Sequence, residues 1–495
     1  MRTLFLSPNV PYPPVNGGHH RNLGLIRSLA RFSSVEVLAV GLPKDPGTAL
    51  ARQHLEGLGV TLDVYAPAGP GRSEDDPEAT ERAPDAAAHF RSEALASELG
   101  RRLASQAFDV VHVEEIVMAQ YLDHPPCPVV IDRQKVDWAY HEAMASVGSG
   151  GAVSHLREAA RFLWWERRLA GTFDRILVPG EGDRLLLEPL HGKGSVSLVP
   201  IAISDDLHLP LGNSRRVDHA LLYGAQDYGP NVEAQRWFFQ EVWPGLRAAA
   251  PHLKAHVVGS GRPPLTAEPP PSRNAGVEVL GFVPDIRPVL QGHGALVVAV
   301  QVGGGARTKI LEALACGMPV VSTAIGVENL DLVPGRDFLL AETASDMTQA
   351  LLRLSRDEAL VAALAREGAK RATAFRWSHV ETTVQAVYKD VISGAGRGPR
   401  SAPRPLTSTQ IPVPEFDRVC LEIDRVRGRD ATPLRRSWNM FRRRLRRSLP
   451  VAWAESRAVS LLDRLSASSS AGALAGRVQR RLSRALHGRC GGSWP

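Results

Sequence analysis

At 495 residues, with 44% hydrophobic and 22% charged residues, the chain is too long for one core and too ordinary in composition for a disordered polymer. A prior of roughly 150 residues per domain points to two or three domains. The formal charge of +7 is lopsided: from Ala395 onward there are 21 Arg, no Lys and 7 Asp or Glu, about +14, whereas the first 394 residues carry 38 basic and 45 acidic groups, about −7. An acidic body argues against a nucleic-acid enzyme, while the Arg-rich end suits an anionic surface such as membrane or RNA.

Cys127, Cys316, Cys420 and Cys490 lie far apart, without the paired spacing of a zinc site or a disulfide framework, which points to a reducing compartment. The apolar run from Met1 to Ser7 stops before Pro8, and no stretch approaches the roughly 18 apolar residues that span a bilayer. A cytoplasmic protein is expected.

Short apolar runs alternate with helical-period segments, the pattern of a doubly wound parallel sheet. Strands are expected at Thr3 to Leu6, Val35 to Val40, Val60 to Tyr65, Asp109 to Val113, Val129 to Ile131, Arg175 to Val178 and Val196 to Val199. Helices are expected near Arg21 to Phe32, Ala94 to Ala107 and Leu156 to Gly171. Ala66 to Ala88, rich in Pro, Gly and charge, reads as a mobile loop. The polar stretch Ser204 to Asp218 leads into a second Rossmann-like half, with strands at Ala220 to Tyr223, Lys254 to Val258, Val277 to Leu280, Ala295 to Val300 and Val320 to Thr323. Gly394 to Thr409 reads as a linker. Ligands of open parallel sheets bind outside the carboxyl ends of the strands, so two such halves face to face would hold a substrate between them.

The chemistry concentrates in Gly303 to Glu328, GGGARTKILEALACGMPVVSTAIGVE. Three glycines after a strand let backbone N–H groups approach a ligand closely, and the helix that follows adds partial positive charge, so the turn is suited to phosphate. Arg307 and Lys309 add full charges beside it. Glu312, roughly two turns past the glycines, is placed to accept hydrogen bonds from a ribose. Ile310, Leu311, Leu314 and Ala315 face the sheet, and Cys316, Gly317 and Pro319 end the helix. Gly-rich turns of this kind are common in α/β proteins and many hold nothing, so the turn alone decides little.

The whole run resembles the donor-binding block of the retaining glycosyltransferases of family four, in the subgroup that reads Gly-Gly-Gly-x-Arg-x-Lys-x-x-Glu-Ala-x-Ala-x-Gly-x-Pro-Val-Val. Other stretches are similar to the family in the same order: Tyr223 to Trp243 with Pro230 and Asn231 opening a helix, Val257 to Gly261, Val279 to Leu290, and the Trp377–Ser378 pair. The resemblance covers about residues 1 to 390. It implies an α/β fold of the GT-B type, two Rossmann-like domains facing across a cleft, here followed by a basic helical C-terminal extension. The implied units are an acceptor domain over 1–205 with a crossover helix at 378–394, a nucleotide-sugar donor domain over 215–377, and a linker with an Arg-rich tail over 395–495.

The implied activity is transfer of a sugar, with retention of anomeric configuration, from a UDP- or GDP-sugar to a polysaccharide, glycolipid or small-molecule acceptor. The nucleotide sugar is a substrate; no metal and no other cofactor is implied. Gly17 and Gly18, in PYPPVNGGHHRN, would approach the donor diphosphate from the first domain, leaving Arg21 to a phosphate or acceptor. Gly281, Phe282 and Val283 would use backbone groups against the nucleobase, with Asp285 capping the next helix. Gly303, Gly304, Gly305 and Ala306 would offer amides, Glu312 would hold the donor, and Arg307 with Lys309 would clamp the diphosphate and stabilise the leaving group. Glu166, Asp174, Glu181 and Asp183 fall in a stretch that is mainly architectural in related enzymes.

Three positions depart from the family. Where many relatives carry a Glu touching sugar hydroxyls, this chain has Gly304, as its subgroup does. Ala225 to Gly229 lacks the Arg and Lys common in that loop. Asp132 to Asp137 reads DRQKVD where relatives commonly have Asp-x-His-Asn-Val-Glu, and Gln134 in place of the His has no proton to shuttle. A retaining reaction in which the leaving phosphate takes the acceptor proton tolerates this; a catalytically degenerate binding or scaffold subunit is the alternative.

In the tail, Leu434, Trp438, Phe441 and Leu445 recur at helical spacing opposite Arg435, Arg436, Arg442, Arg443, Arg444, Arg446 and Arg447, and a second stripe follows at Leu474, Val478, Leu482 and Leu486. Over 434–487 this pattern suits an interfacial helix on anionic lipid at the inner face of the membrane. A helix packed on the enzyme, a solvated extension, or RNA binding are the other readings.

Overall fold

The computed structural model describes residues 1–68, 83–122, 125–146, 152–208, 216–261, 276–292 and 294–394. The tail and most of the linker, and with them both amphipathic stripes, lie outside the described residues, as does the middle of the 66–88 stretch.

Two all-parallel sheets organise the chain. The first has seven strands, β1 (Arg2–Ser7), β2 (Ser34–Val40), β3 (Thr61–Tyr65), β4 (Val110–Glu114), β5 (Val129–Asp132), β6 (Arg175–Val178) and β7 (Val196–Leu198), in the order β3-β2-β1-β4-β5-β6-β7. The second has six, β8 (His219–Tyr223), β9 (Lys254–Val258), β10 (Val277–Gly281), β11 (Gly294–Val298), β12 (Val320–Ser322) and β13 (Leu339–Leu340), in the order β10-β9-β8-β11-β12-β13. Central parallel strands are covered on both faces and read as unbroken apolar runs rather than alternating ones. Every residue of β4 (VVHVE) and β11 (GALVV) is buried accordingly.

All twelve expected strands form; the two-residue β13 was not legible. Asp85–His89, within the stretch read as a loop, is a short helix, as Ala-rich sequence allows. Pro46–Glu56 and Asp137–Ser146 are further helices that the apolar periodicity did not announce.

The last helix, Trp377–Ser393, belongs to the first sheet's core: Val380, Val384, Tyr388 and Val391 pack with Leu23, Ile26 and Leu29 of the helix Gly17–Ala30. A Cβ at Gly24 would overlap the indole of Trp377. The crossing between the two bodies is pinned where Ile203 N donates to Phe375 O (2.9 Å) and Trp377 N to Ile203 O (3.4 Å). Among the described residues no helix is long and apolar enough to cross a membrane.

Candidate active site

Each sheet reverses its strand order once, between β1 and β4 in the first and between β8 and β11 in the second, and such switch points open a crevice at the carboxyl ends of the strands. In the second sheet the loop after β11 enters that crevice as the glycine turn. Gly303 (φ +145°) and Gly305 (φ +76°) hold conformations that a residue with a Cβ rarely adopts, and they turn the chain sharply into the helix Thr308–Ala315. Arg307 stands at the N-cap, its Nη1 donating to Gly305 O at 3.1 Å. Lys309 Nζ donates to Tyr223 O at the end of β8 and to Asn231 Oδ1, both at 2.8 Å. Glu312 is buried and hydrogen-bonds the Tyr223 hydroxyl, while its Oε2 has no hydrogen-bond partner.

Burial pulls the Arg307 guanidinium below its usual range, with Glu328 acting against it. Burial, then Arg307, lowers Lys309 to about 7, against the pull of Glu312. Burial also lifts Glu312 to about 7, with Tyr223 and Lys309 opposing. Two desolvated cations beside a turn of backbone amides form a site whose electrostatics improve when a multivalent anion enters.

In the first domain the helix Gly17–Ala30 starts one turn earlier than the apolar periodicity suggested, because Asn16 Oδ1 accepts from His19 N at 2.9 Å. Gly17 and Gly18 thus form the helix's first turn. The expectation for Arg21 is corrected: it turns inward, bonding Asp132 through Nε and Nη2 at 2.7 and 2.6 Å and the carbonyls of Pro200 and Val199 at 3.0 Å each. A buried carboxylate at the end of β5 demands a cation, and Arg21 supplies it instead of meeting a ligand.

Gln134 Nε2 donates to Glu114 Oε1 (2.6 Å) and to Gly18 O (3.3 Å), tying β4 to the first helix. Glu114 Oε2 lies 3.3 Å from His112 Nε2, and His112 Nδ1 bonds the Tyr388 hydroxyl on the last helix. Burial, then Asp132 and Glu115, hold Glu114 well above the usual carboxylate range, while burial and Arg21 lower His112 to about 3. His112 is therefore neutral near pH 7, and its contacts with Glu114 and Tyr388 are polar contacts of an uncharged imidazole.

The two crevices face each other closely. A Cβ at Gly17 would stand 3.1 Å from Thr308 Oγ1, and one at Gly304 would stand 3.6 Å from Tyr140 Cβ and 3.8 Å from Lys135 Cβ. The backbone of Gln134 comes closer still, its carbonyl oxygen 2.5 Å from where a Cβ on Gly305 would stand. The Tyr140 hydroxyl bonds that of Tyr228, from the loop after β8. Beside these contacts Asn329, in left-handed conformation (φ +64°), donates through Nδ2 to Asp183 Oδ2 (2.8 Å) and accepts from Gly182 N (3.2 Å). Burial, then Glu328, raise Asp183 to about 7.

The glycine turn, Arg307, Lys309, Glu312, Gly17, Gly18 and Gln134 are thus brought to one cleft. Gly281, Phe282 and Val283 lie two strands out from β8: Gly281 O accepts from Gly259 N (2.8 Å), Val283 packs on the core, and Phe282 is 66% exposed. Asp285 Oδ1 accepts from Arg287 N at 3.0 Å, next to the helix Arg287–Gln291. Glu166 serves the frame: it is buried, bonded to Arg133 (2.7 Å) and to His191 (2.7 Å). Sequence reasoning passed over Glu114, Glu115, Tyr140, Tyr228 and Asn329, and gave Asp183 only a local role. The acidic pair Glu114–Glu115, at the carboxyl end of β4, was the one available signal.

Residues 219–357, the core of the second domain, match the family described as Glycosyl transferases group 1. A 95-residue stretch is 35% identical to the D-inositol 3-phosphate glycosyltransferase of Stackebrandtia nassauensis; it makes up 19% of this chain and 21% of that protein's length. Among solved structures, the sucrose-phosphate synthase of Thermosynechococcus elongatus is similar at TM-score 0.60 and 16% identity, covering 80% of this chain and 100% of that one. HepE of Anabaena in complex with UDP is similar at TM-score 0.54 and 14% identity, covering 79% and 100%; the same protein is also solved in complex with UDP-glucose. At these identities the likeness establishes the fold, which is GT-B.

Proposed function

We propose that this chain is a metal-independent, retaining glycosyltransferase of the Gly-Gly-Gly-x-Arg-x-Lys subgroup of family four, taking its sugar from a nucleotide diphosphate sugar. The reading is carried by the partly buried Arg307 and Lys309 beside the glycine turn, opposite Gly17 and Gly18. Cleavage of the bond between sugar and diphosphate leaves negative charge on the phosphate, and two fixed cations in a desolvated cleft stabilise that charge most when it is fully developed. The complexes of HepE with UDP and UDP-glucose favour a uridine donor among those to be tried. Gln134 bonds Glu114 and Gly18 through an amide, so it positions the cleft, and the acceptor proton leaves on the departing phosphate.

The test is a panel of UDP- and GDP-sugars assayed for hydrolysis and transfer, with product anomers assigned by NMR and with EDTA in a parallel series. Turnover with retention that EDTA leaves unchanged is expected. Tight binding of a nucleotide sugar with no turnover for any acceptor would instead support a binding subunit, the reading that the amide at Gln134 favours. For the Arg-rich tail we propose contact with anionic lipid. Co-sedimentation with phosphatidylglycerol vesicles should be lost on truncation after Gly394, and equal sedimentation of both forms would refute it.

A further inference from the structure

Glu115 is the first residue after β4, beside the strand-order reversal of the first sheet, and its backbone is strained: φ +64°, ψ +148°. For a residue with a Cβ this conformation is costly and is retained where function requires the side chain. The fold itself does not require a glutamate here. The local backbone bonds, Glu115 N to Asp132 O (3.0 Å) and Met118 N to Glu115 O (3.1 Å), are ones that glycine would make without strain. Nor does the carboxylate serve an internal bond through both oxygens, since Oε2 is buried without a hydrogen-bond partner. Burial lifts its acid to about 7, against the pull of Lys135.

Its surroundings face the glycine turn. Lys135, ion-paired to Asp137, carries the Cβ that comes within 3.8 Å of a Cβ placed on Gly304, and Tyr140 approaches the same point at 3.6 Å. Lys135 Nζ sits over the Tyr140 ring, 5.4 Å from its centroid. The turn, three glycines and an alanine, has no polar side chain, and its Gly305 carbonyl is already taken by Arg307. A sugar's hydroxyls also need acceptors, and a carboxylate across the cleft is a stronger one than the turn's backbone carbonyls.

Resting on the function proposed above, we propose that Glu115 binds hydroxyls of the transferred sugar, with Lys135 and Tyr140 bordering the same pocket, so that the first domain supplies the acceptor group that Gly304 does not. Glu115 is then a specificity determinant for the sugar and has no part in holding the nucleotide.

The test uses the full chain with Glu115→Gly and Glu115→Gln, read by calorimetry with UDP and GDP, by kcat/KM on the nucleotide sugar that the wild type turns over, and by melting temperature. Glu115→Gly is expected to melt at or above the wild-type temperature and to bind the nucleoside diphosphate as the wild type does. Its kcat/KM should fall roughly 10- to 100-fold, the span of one or two hydrogen bonds to a charged group. Glu115→Gln, which keeps a carbonyl acceptor, should recover part of that loss. Wild-type kcat/KM in Glu115→Gly overturns the proposal, and so does a loss of nucleoside diphosphate affinity as large as the loss for the whole nucleotide sugar. A wild-type protein that binds neither UDP nor GDP would overturn the donor-site reading itself, and this inference with it.

Discussion

The two crevices are built on opposite electrostatic plans. At the second sheet's reversal, partly buried cations rest on mostly neutral partners: Arg307 on a carbonyl, Lys309 on a carbonyl and an amide. At the first sheet's reversal, carboxylates are buried and mostly answered from within, Asp132 by Arg21 and Glu166 by Arg133. The contrast separates charge without a carboxylate partner from charge consumed by the frame. A buried ion pair contributes little net stability yet is costly to break, whereas a desolvated cation without a carboxylate partner is a cost that only a bound anion removes.

That contrast breaks most sharply at Arg21. Its replacement by Ala would leave Asp132 buried and unpaired, and about 3–5 kcal/mol of stability should be lost, read from chemical denaturation. Substituting Arg307 or Lys309 by Ala should leave the melting temperature near wild type and lower turnover by about 10²- to 10³-fold, the scale set by removing one preorganised donor from a developing charge. Wild-type turnover in both variants would refute the clamp. Glu312→Ala should weaken donor binding by about 10-fold or somewhat more in calorimetry with the fold intact; unchanged affinity would remove Glu312 from the donor site.

The smallest effect is in pH. With Lys309 near 7 before binding and raised by a diphosphate, it is charged in both states below about pH 7, and donor affinity should be level there. Above about 7 binding must take up a proton, so affinity should fall by at most about tenfold per pH unit. Glu312 ionises over the same range and works in the opposite direction as its acceptor strength grows. Lys309→Arg, which stays charged, should abolish the decline; a decline that persists in that variant would place the titrating group elsewhere.

What the sequence made legible follows from the same contrast. The glycine-turn face was readable because one continuous run, Gly303 to Glu312, carries turn, cations and carboxylate, with local spacing to fix their geometry. The first domain's face was not, because its members meet only through the fold. Gln134 finds Glu114 at the end of the neighbouring strand, and Asp183 finds Asn329 from the other body. Arg21 was misplaced for a local reason: Asn16 starts the helix at Gly17, and the partner that turns Arg21 inward, Asp132, is more than a hundred residues away in the chain. The GT-B fold itself was legible because alternating apolar runs need no long-range knowledge to be recognised as parallel strands.

The chain's final described helix also fixes which half any later residue is fastened to. Because Trp377–Ser393 lies against Leu23, Ile26 and Gly24, and Gly394 closes it in a left-handed turn (φ +72°), everything downstream departs from the body formed by the first two hundred residues. An anchor attached there would moor that body directly, while the second body would be held to it through the chain crossings at Ile203 and Phe375 and the bond from Asn329 to Asp183.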